Sequence, residues 1–197
     1  MTKAETIAKA EIRRKAEGRN PKSVDYVAVL PILTPDGEFV ARYSVAGLCG
    51  LEFPSGVRRL NLRASGPELP ATIRGWHAVT VRALGEALAG QMPGDLPPLD
   101  LSAGTDFQQR VWQMLRKISF GETWSYSEVA QGIGKPKAVR AVGGACGANP
   151  IPVFVPCHRV LAANHQLGGF SGGLNWKRLL LEREGIRLGT PDLAAWS

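Results

Sequence analysis

The segment Ser125–Gly147, with the sequence SYSEVAQGIGKPKAVRAVGGACG, decides how the second half of the chain folds. Ser125 with Glu128 three residues later is a capping-box pattern, which predicts a short helix that ends at the glycines that follow. Pro136 predicts the first turn of a second helix over residues 137–146. Two short helices joined through Gly-Lys-Pro are typical of a helix-turn-helix.

The second of these helices is built mostly of small residues. Gly143, Gly144 and Gly147 each cost roughly 1 kcal/mol of helix stability relative to alanine, so the close approach of another group is expected to favour them. That group is either a neighbouring helix or the groove of a nucleic acid. Arg140, in the middle of the helix, favours the nucleic acid.

The charge of the chain also indicates a polyanionic partner. The net charge is +7 over 197 residues, and no acidic residue occurs between Glu128 and Glu182. The basic residues of that stretch are Lys135, Lys137, Arg140, Arg159, Lys177 and Arg178. We expect a phosphate-facing surface there.

Three features indicate a cytoplasmic protein with no membrane partner. No stretch approaches the roughly 18 to 20 consecutive apolar residues of a membrane span. The basic N-terminus is not followed by the apolar region of a signal peptide. The 3 cysteines are too few for a disulfide framework, which indicates a reducing compartment.

Toward the N-terminus, other local patterns predict more elements. Thr105 with Gln108 is another capping box, which predicts a helix that runs to about Ile118. Residues 70–90 have apolar side chains at helical spacing. Residues 92–104 are rich in proline and glycine and are the best candidate for a linker.

In the first half of the chain, apolar and polar residues alternate as they do in β-strands. The predicted strands are residues 26–33, 38–45 and 47–53, followed by further alternation over residues 57–62. We expect a small antiparallel sheet covered by the helix at residues 70–90.

These patterns together predict an α+β chain of two small domains. Residues 25–100 form the first, and residues 101–190 form a mainly helical domain that contains the helix-turn-helix. Residues 1–24 are basic and are expected to form a flexible arm, and residues 191–197 form a tail.

The motif with the clearest chemistry is Pro156-Cys157-His158-Arg159-Val160, which follows an apolar run. A free cysteine has a pKa of about 8.5, so it needs a base or a positive field beside it to act as a nucleophile. His158 and Arg159 offer both. Because adjacent residues on a regular strand point to opposite faces, a working Cys-His pair requires irregular backbone. On these residues alone, a buried structural cysteine beside an incidental histidine remains the alternative.

This motif resembles the signature of the O6-alkylguanine-DNA alkyltransferases, and the resemblance extends over residues 104–185. The matching blocks are Gly104–Gln108, Val111–Trp112, Ser125–Tyr126, Arg140–Gly143, Asn149–Pro150, Phe170–Gly173 and Leu180–Gly185. Residues 25–100 are similar only in outline to the family's ribonuclease-H-like domain, with Gly47–Leu51 as the clearest piece.

The resemblance implies direct-reversal DNA repair without a cofactor. Cys157 would take the alkyl group of O6-methylguanine in one substitution, which consumes the protein. His158 would act as a base through a water molecule and would be oriented by Glu184. Tyr126 would donate a proton to the leaving guanine, and Asn149 would tie the helix-turn-helix to the active-site turn. Activity on O4-methylthymine is left open.

The resemblance also implies how substrate is bound. The residues expected to contact the flipped base and its alkyl group are Ser171, Val160, Pro152 and Phe170. The residues expected on double-stranded DNA, entered through the minor groove, are Arg140, Ala141, Lys135, Lys137, Ala138, Gly144, Thr105 and Gln108. Arg140 would fill the gap left by the flipped nucleotide, and the protein is expected to act as a monomer.

Two departures from the family pattern concern the loop 162–170. Phe170 stands where many members have tyrosine, and His165 where glycine is common, which is expected to alter the range of bulky alkyl groups. The three histidines and scattered cysteines predict no metal site. Two other functions stay open: a sensor that binds the lesion without repair, and a cysteine hydrolase that uses Cys157 with His158 or His165.

Overall fold

The computed structural model describes residues 27–54, 69–163 and 166–187. The predicted arm at residues 1–24, the alternation at 57–62, His165 and the tail at 191–197 lie outside the described residues. Within them the chain is a mixture of α-helices and small β-sheets, as predicted. None of the described helices combines the length and the apolar character that a membrane crossing requires.

The first half of the described chain forms an antiparallel sheet in the order β1-β2-β3. The strands are β1 (Ala28–Thr34), β2 (Gly37–Tyr43) and β3 (Leu48–Glu52), which confirms all three predictions to within about two residues at each end. The β1–β2 turn is tight because Gly37 adopts a φ of 122°. Paired residues such as Ile32 and Phe39 place apolar side chains into the core.

Helix α1 (Ala71–Leu88) covers this sheet, as the helical spacing of residues 70–90 predicts. It buries one face that includes Ile73 and Leu84, and burial of each such side chain contributes about 1.5–3 kcal/mol. Its Thr80 accepts a hydrogen bond of 2.9 Å from the hydroxyl of Tyr43 on β2, so the polar atoms between the layers are paired.

The second half of the described chain is mainly helical. Its elements are α2 (Asp106–Leu115), β4 (Trp124–Ser125), α3 (Tyr126–Gly132), α4 (Val139–Gly147), a 3₁₀ helix (Cys157–Arg159), β5 (Val160–Leu161) and α5 (Leu174–Arg183). Strands β4 and β5 pair in parallel and connect the start of α3 to the end of the 3₁₀ helix.

Both predicted capping boxes are present. The Thr105 hydroxyl accepts from the backbone N–H of Gln108, whose side chain accepts from the backbone N–H of Thr105 at 2.9 Å. Ser125 and Glu128 exchange the same two hydrogen bonds at the start of α3. These local contacts explain why the helix starts could be predicted from the sequence.

Helix α4 begins later than the sequence predicts. The backbone N–H of Ala138 donates to the carbonyl of Lys135 at 2.8 Å, which closes a turn. Pro136 and residue 137 lie in this turn, so Pro136 does not occupy the first turn of the helix, and α4 starts at Val139. The predicted helix start at residue 137 was wrong because proline suits a turn as well as a helix start.

One cluster of buried side chains runs through the sheet, α1 and the helices of the second half. The ring N–H of Trp112 on α2 donates to the carbonyl of Ala145 on α4 at 2.8 Å, which fixes these two helices together. Arg183, at the end of α5, makes two hydrogen bonds of 2.8 Å to Asp36 in the β1–β2 turn. The first strands and α5 are thereby joined directly.

Candidate active site

The chain approaches Cys157 through an irregular loop. Val153 has a φ of 75°, which costs about 1–2 kcal/mol for an L-residue, and Val155 N–H donates to the carbonyl of Ile151 at 2.9 Å. Pro156 then bends the chain so that the Cys157 N–H reaches the carbonyl of Val155 at 2.7 Å. Cys157 and its neighbour therefore lie on a 3₁₀ helix, and the expectation of irregular backbone is confirmed.

Asn149 holds this loop and contacts the sulfur. Its Nδ2 donates to the carbonyl of Val155 at 2.7 Å and to the Sγ of Cys157 at 3.0 Å, and its Oδ1 accepts from the N–H of Ile151 at 3.0 Å. Asn149 is buried and follows the end of α4 by two residues. It therefore connects α4 to the cysteine through its side chain.

His158 and Glu184 are brought together although they are 26 positions apart. The Nε2 of His158 lies 2.8 Å from Oε1 of Glu184. Arg159 donates to both oxygens of the same carboxylate, through Nε at 2.9 Å and Nη2 at 3.0 Å, and the backbone N–H of Gly121 donates at 3.3 Å. The carboxylate is thus fixed in position from three sides.

The electrostatics of this pair assign its protonation states. Burial works to raise the pKa of Glu184, but the hydrogen bonds from His158 and Arg159 outweigh it and lower the pKa to about 2. Burial lowers the pKa of His158 below its ordinary value of 6.5, although Glu184 works against this. At neutral pH Glu184 is a carboxylate and His158 a neutral imidazole.

In that state the second ring nitrogen of His158 is available as a base. If Nε2 carries the proton that faces Glu184, Nδ1 is unprotonated. Nδ1 is buried and has no hydrogen-bond partner among the described residues. A buried acceptor of this kind is suited to take a proton directly or through one water molecule.

Cys157 itself is a thiol at rest. Burial raises its pKa to about 11, against the lowering effect of the Asn149 hydrogen bond and of the positive charge on Lys177. Formation of the thiolate therefore needs a base, a donor and a cation close by, and His158, Asn149 and Lys177 supply them.

Lys177 is a site residue, and its predicted place on the phosphate-facing surface was wrong. It is fully buried on α5, and its Nζ donates to the carbonyl of Val160 at 2.7 Å and also to the carbonyl of Leu167. Burial lowers its pKa to about 8, against the effect of the two cysteines Cys157 and Cys146. Its place three residues before the buried Leu180 was a usable signal, because residues i and i+3 share a helix face.

The sequence had assigned the positive field beside Cys157 to Arg159. That assignment was wrong. The guanidinium of Arg159 is engaged by Glu184 and, through Nη1, by the carbonyl of Ile118 at 2.7 Å. The cation that lowers the pKa of the Cys157 thiol is Lys177.

Tyr126, at the start of α3, lies in the same region. Burial raises the pKa of its hydroxyl above 10, and the charges of Cys146 and Cys157 raise it further. A β-carbon on Gly168 would come within 3.0 Å of this hydroxyl, so the loop 166–170 passes directly over it. Tyr126 is a neutral donor at physiological pH.

The predicted base and alkyl contacts have different environments. Val160 and Pro152 are buried, Phe170 is half-buried and Ser171 is exposed. Pro152 and Ser171 border one cavity of about 460 Å³, together with Asn149. Phe170 packs on Phe53 of the first half, with ring centroids 5.5 Å apart.

Six of the predicted DNA residues lie on α4 or in the turn before it, and Thr105 and Gln108 lie at the start of α2. Lys135, Lys137, Arg140, Ala141, Gly144 and Thr105 are exposed, and Ala138 and Gln108 are half-buried. A β-carbon on Gly144 or Gly147 would meet no described atom within 4 Å, whereas one on Gly143 would be 3.9 Å from the ring of Tyr126. Among the described residues, packing against a neighbouring helix therefore does not account for Gly144 and Gly147.

No three side chains of the His, Cys, Asp or Glu type come together as a metal site in the part of the chain that the structure describes. His77 instead contacts the hydroxyl of Tyr43 at 3.1 Å.

Comparison with known proteins places this site in a family. A profile described as "6-O-methylguanine DNA methyltransferase, DNA binding domain" matches residues 106–186. A methylated-DNA–protein-cysteine methyltransferase of Mycolicibacterium paratuberculosis is 45% identical over 130 residues, which are 63% of this chain and 78% of that protein. The chain belongs to the methylated-DNA–protein-cysteine methyltransferase family.

Another relative and two solved structures match as well. The protein of Mycobacterium tuberculosis strain H37Rv is 53% identical over 107 residues, which are 54% of this chain and 64% of that protein. A crystal structure of Mycobacterium tuberculosis OGT in complex with DNA has a TM-score of 0.65 at 42% identity and covers 78% of this chain and 90% of its own. The structure of an O6-methylguanine DNA methyltransferase of Methanococcus jannaschii has a TM-score of 0.59 at 27% identity. It covers 83% of this chain and 98% of its own.

Proposed function

We propose that this protein repairs O6-methylguanine in double-stranded DNA by transferring the methyl group to Cys157. The observation that carries the proposal is the set of contacts around one buried sulfur: the amide of Asn149 at 3.0 Å, the charge of Lys177, and a neutral His158 held by Glu184. The relatives named as methylated-DNA–protein-cysteine methyltransferases support it.

The reaction begins with loss of the thiol proton. His158 takes this proton at Nδ1, through a water molecule, and Glu184 stabilises the imidazolium that forms. The thiolate is stabilised by the N–H of Asn149 and by the ammonium of Lys177. Its sulfur attacks the methyl carbon, so that the S–C bond forms as the C–O6 bond breaks.

The electron pair of the broken bond passes into guanine, which must be protonated to leave as a neutral base. Tyr126 donates this proton, because its raised pKa keeps the hydroxyl protonated. His158 releases its proton to solvent and solvent returns one to the tyrosine, so the net change at Cys157 is the exchange of the thiol hydrogen for a methyl group. The thioether has no further leaving group, so each molecule acts once.

Guanine would be recognised by the backbone around the cysteine. The carbonyls of Cys157 and Val160 accept from the exocyclic amine, and Lys177 holds the Val160 carbonyl by a hydrogen bond of 2.7 Å. Ser171 donates toward O6, and Pro152 and Phe170 form the walls that face the alkyl group. Activity on O4-methylthymine would depend on the same pocket.

Helices α3 and α4 would form a helix-turn-helix that enters the minor groove. The exposed positions of α4 are small at Ala141 and Gly144, which allows close approach to the groove. Arg140 fills the gap of the flipped nucleotide, while Lys135 and Lys137 contact phosphates. We assign residues 101–190 to this DNA-binding domain and residues 25–100 to a ribonuclease-H-like domain, and expect a monomer on DNA.

The test is a single-turnover incubation with duplex DNA that carries one radiolabelled O6-methylguanine, followed by peptide mass mapping. We expect at most one label per molecule, on the Cys157 peptide. Cys157→Ser should abolish transfer and keep DNA binding. Cys146→Ser is the matched control, because it removes another buried thiol beside Lys177, and it should still transfer.

Two results would contradict the proposal. If the protein binds the DNA and the label stays on guanine, the protein is a lesion sensor. Repeated turnover of a thioester or ester substrate without DNA would indicate a cysteine hydrolase.

A further inference from the structure

A second cavity, of about 520 Å³, lies beside the loop that leads to Cys157. Its lining comes from the segment 92–96, the segment 116–120 that follows α2, and the loop segment 153–156, together with Arg159. It shares no lining residue with the cavity at Pro152 and Ser171. None of the residues assigned above to guanine or to its alkyl group lines it, so it is a separate site.

Internal contacts fix the walls of this second cavity. Nη1 of Arg159 donates to the carbonyl of Ile118 at 2.7 Å, and the guanidinium carbon lies 5.7 Å from the centre of the Phe120 ring. The backbone N–H groups of Lys117 and Ile118 each donate at 3.0 Å to a carbonyl in the last turn of α2. The cavity is therefore formed before any ligand arrives, which lowers the entropic cost of binding.

Most of the lining is apolar. All three segments contribute apolar side chains, which are Met92, Leu96, Phe120, Val153, Phe154 and Pro156. Met92 is 74% exposed, and its flexible thioether can adapt to the shape of a ligand. Pockets that hold small molecules have volumes of about 300–1,000 Å³ and combine apolar walls with a few polar groups. The cavity has the size and the walls of such a pocket.

The charged groups at the second cavity are positive. Arg116 and Lys117 are exposed, and neither forms an ion pair with a described residue. The charge of Arg159 is balanced by Glu184, because the two form an ion pair of 2.9 Å. Among the described residues that line the cavity, none is acidic. A ligand with a negative charge would therefore be attracted by Arg116 and Lys117.

We propose that the second cavity binds a small amphipathic anion, which has an aromatic or branched apolar body and one carboxylate, sulfonate or phosphate group. The apolar body packs between Phe120 and Phe154, and the anionic group faces Arg116 and Lys117. This site lies outside the transfer reaction and does not depend on it.

A ligand in the second cavity restrains the loop before Cys157. Val153 has a φ of 75°, a conformation that an L-residue keeps only when its surroundings hold it. The ligand adds contacts on Val153, Phe154 and Pro156, which all line the cavity. We therefore expect the bound ligand to slow hydrogen exchange of the loop amides.

The experiment compares two fluorescent probes that differ only in charge, 8-anilinonaphthalene-1-sulfonate and the uncharged N-phenyl-1-naphthylamine. Titration of the wild-type protein should show one saturable site, with a lower Kd for the sulfonate than for the uncharged probe. Arg116→Glu should weaken binding of the sulfonate by about tenfold, which corresponds to about 1.4 kcal/mol, and should change the Kd of the uncharged probe little. Lys117→Glu should act in the same direction.

The matched control is Arg110→Glu, which makes the same charge change at an exposed position of α2 outside the cavity. It should leave the ratio of the two dissociation constants as it is in the wild type. The preference for the sulfonate should shrink at about 1 M salt, where the screening length is about 3 Å.

Hydrogen exchange followed by mass spectrometry locates the bound sulfonate probe. It should slow exchange over residues 116–120 and 153–157 and leave α4 unchanged. O6-benzylguanine, added to the Cys157→Ser protein so that no alkylation follows, should not displace the probe.

A Kd ratio that Arg116→Glu and Lys117→Glu change no more than Arg110→Glu does would overturn the inference. Displacement of the probe by O6-benzylguanine would also overturn it, because the probe would then lie in the guanine pocket. None of these measurements requires alkyl transfer. Failure of this inference therefore leaves the proposed function intact, and failure of transfer to Cys157 leaves this inference intact.

Discussion

At the scale of single residues, Glu184 shows how a side chain acquires a function from its neighbours. Its carboxylate accepts hydrogen bonds from His158, Arg159 and the backbone of Gly121. These contacts keep it ionised and keep His158 in one orientation. The resemblance in the sequence implied the pair of His158 and Glu184. The motif residues alone had assigned Arg159 to the cysteine, because a motif contains no information on where a long side chain points.

Replacement of Glu184 by Gln should show a characteristic pH dependence. Its pKa is lowered from 4.5 to about 2 in the folded protein, so the carboxylate contributes stability above about pH 4.5 and loses it as pH falls toward about 2. The free energy of unfolding of Glu184→Gln, measured with urea, should fall below the wild type at neutral pH, and the gap should close in acid. A gap that is constant with pH would contradict the assigned ion pairs.

The same variant should alkylate more slowly. Loss of an oriented general base typically costs about 10²–10⁴ in rate, so the reaction of Cys157 with O6-benzylguanine is expected to slow within that range. Glu182→Gln, an exposed change on the same helix, is the matched control and should react as the wild type does.

At the scale of elements, local patterns were predictable and the turn between helices was not. The capping boxes at Thr105 and Ser125 involve residues three positions apart, so the sequence contains all the information that they need. The start of α4 depends on a turn closed by Lys135 and Ala138, which the sequence could not distinguish from a first helical turn. Lys177 was wrongly placed on the phosphate-facing surface because a lysine is expected in solvent unless the packing of its helix face is known.

Arg140 lies on helix α4, and its proposed role in base flipping can be tested separately from the transfer step. Arg140→Ala should slow repair in duplex DNA by about tenfold or more, because extrusion of a base costs a few kcal/mol that Arg140 helps to offset. Attack on free O6-benzylguanine should be unchanged. Single-turnover rates on both substrates are the measurement, and equal losses on both would show that Arg140 does not act in base flipping.

Lys137→Ala is the control for Arg140→Ala. It removes one cation of the same surface without touching the helix centre. It should weaken DNA binding at all sequences and lower the slope of log affinity against log salt by about 1.

At the scale of the whole molecule, the halves share a core. Buried side chains of the sheet, α1, α2 and α5 belong to one cluster, and the boundary near residue 100 stays a prediction. The ion pair of Asp36 with Arg183 joins residues 147 positions apart, and no local pattern in the sequence indicates it. The sheet and helices could be predicted from periodicity, whereas their docking could not.

Alkylation of Cys157 should loosen this core. Cys157 is 3% exposed and its sulfur accepts a hydrogen bond from Asn149, so an added methyl group crowds a packed site. Overpacking typically costs about 1–3 kcal/mol, and each kcal/mol lowers Tm by about 2–4 °C in a chain of this size. Calorimetry before and after methylation should show a drop of several degrees, and an equal Tm would contradict it. Cys157→Ala treated in the same way is the control.

The ion pair of Asp36 with Arg183 also bears on the order in which the chain acquires its chemistry. Contacts between residues 147 positions apart close a long loop, and such contacts form late because the entropy of closure must be overcome first. Glu184 follows Arg183 directly, so docking of the sheet on α5 also holds the backbone next to the relay to His158. A nascent or half-folded chain would expose a cysteine that is still an ordinary thiol, and the irreversible reaction would be reserved for the finished protein.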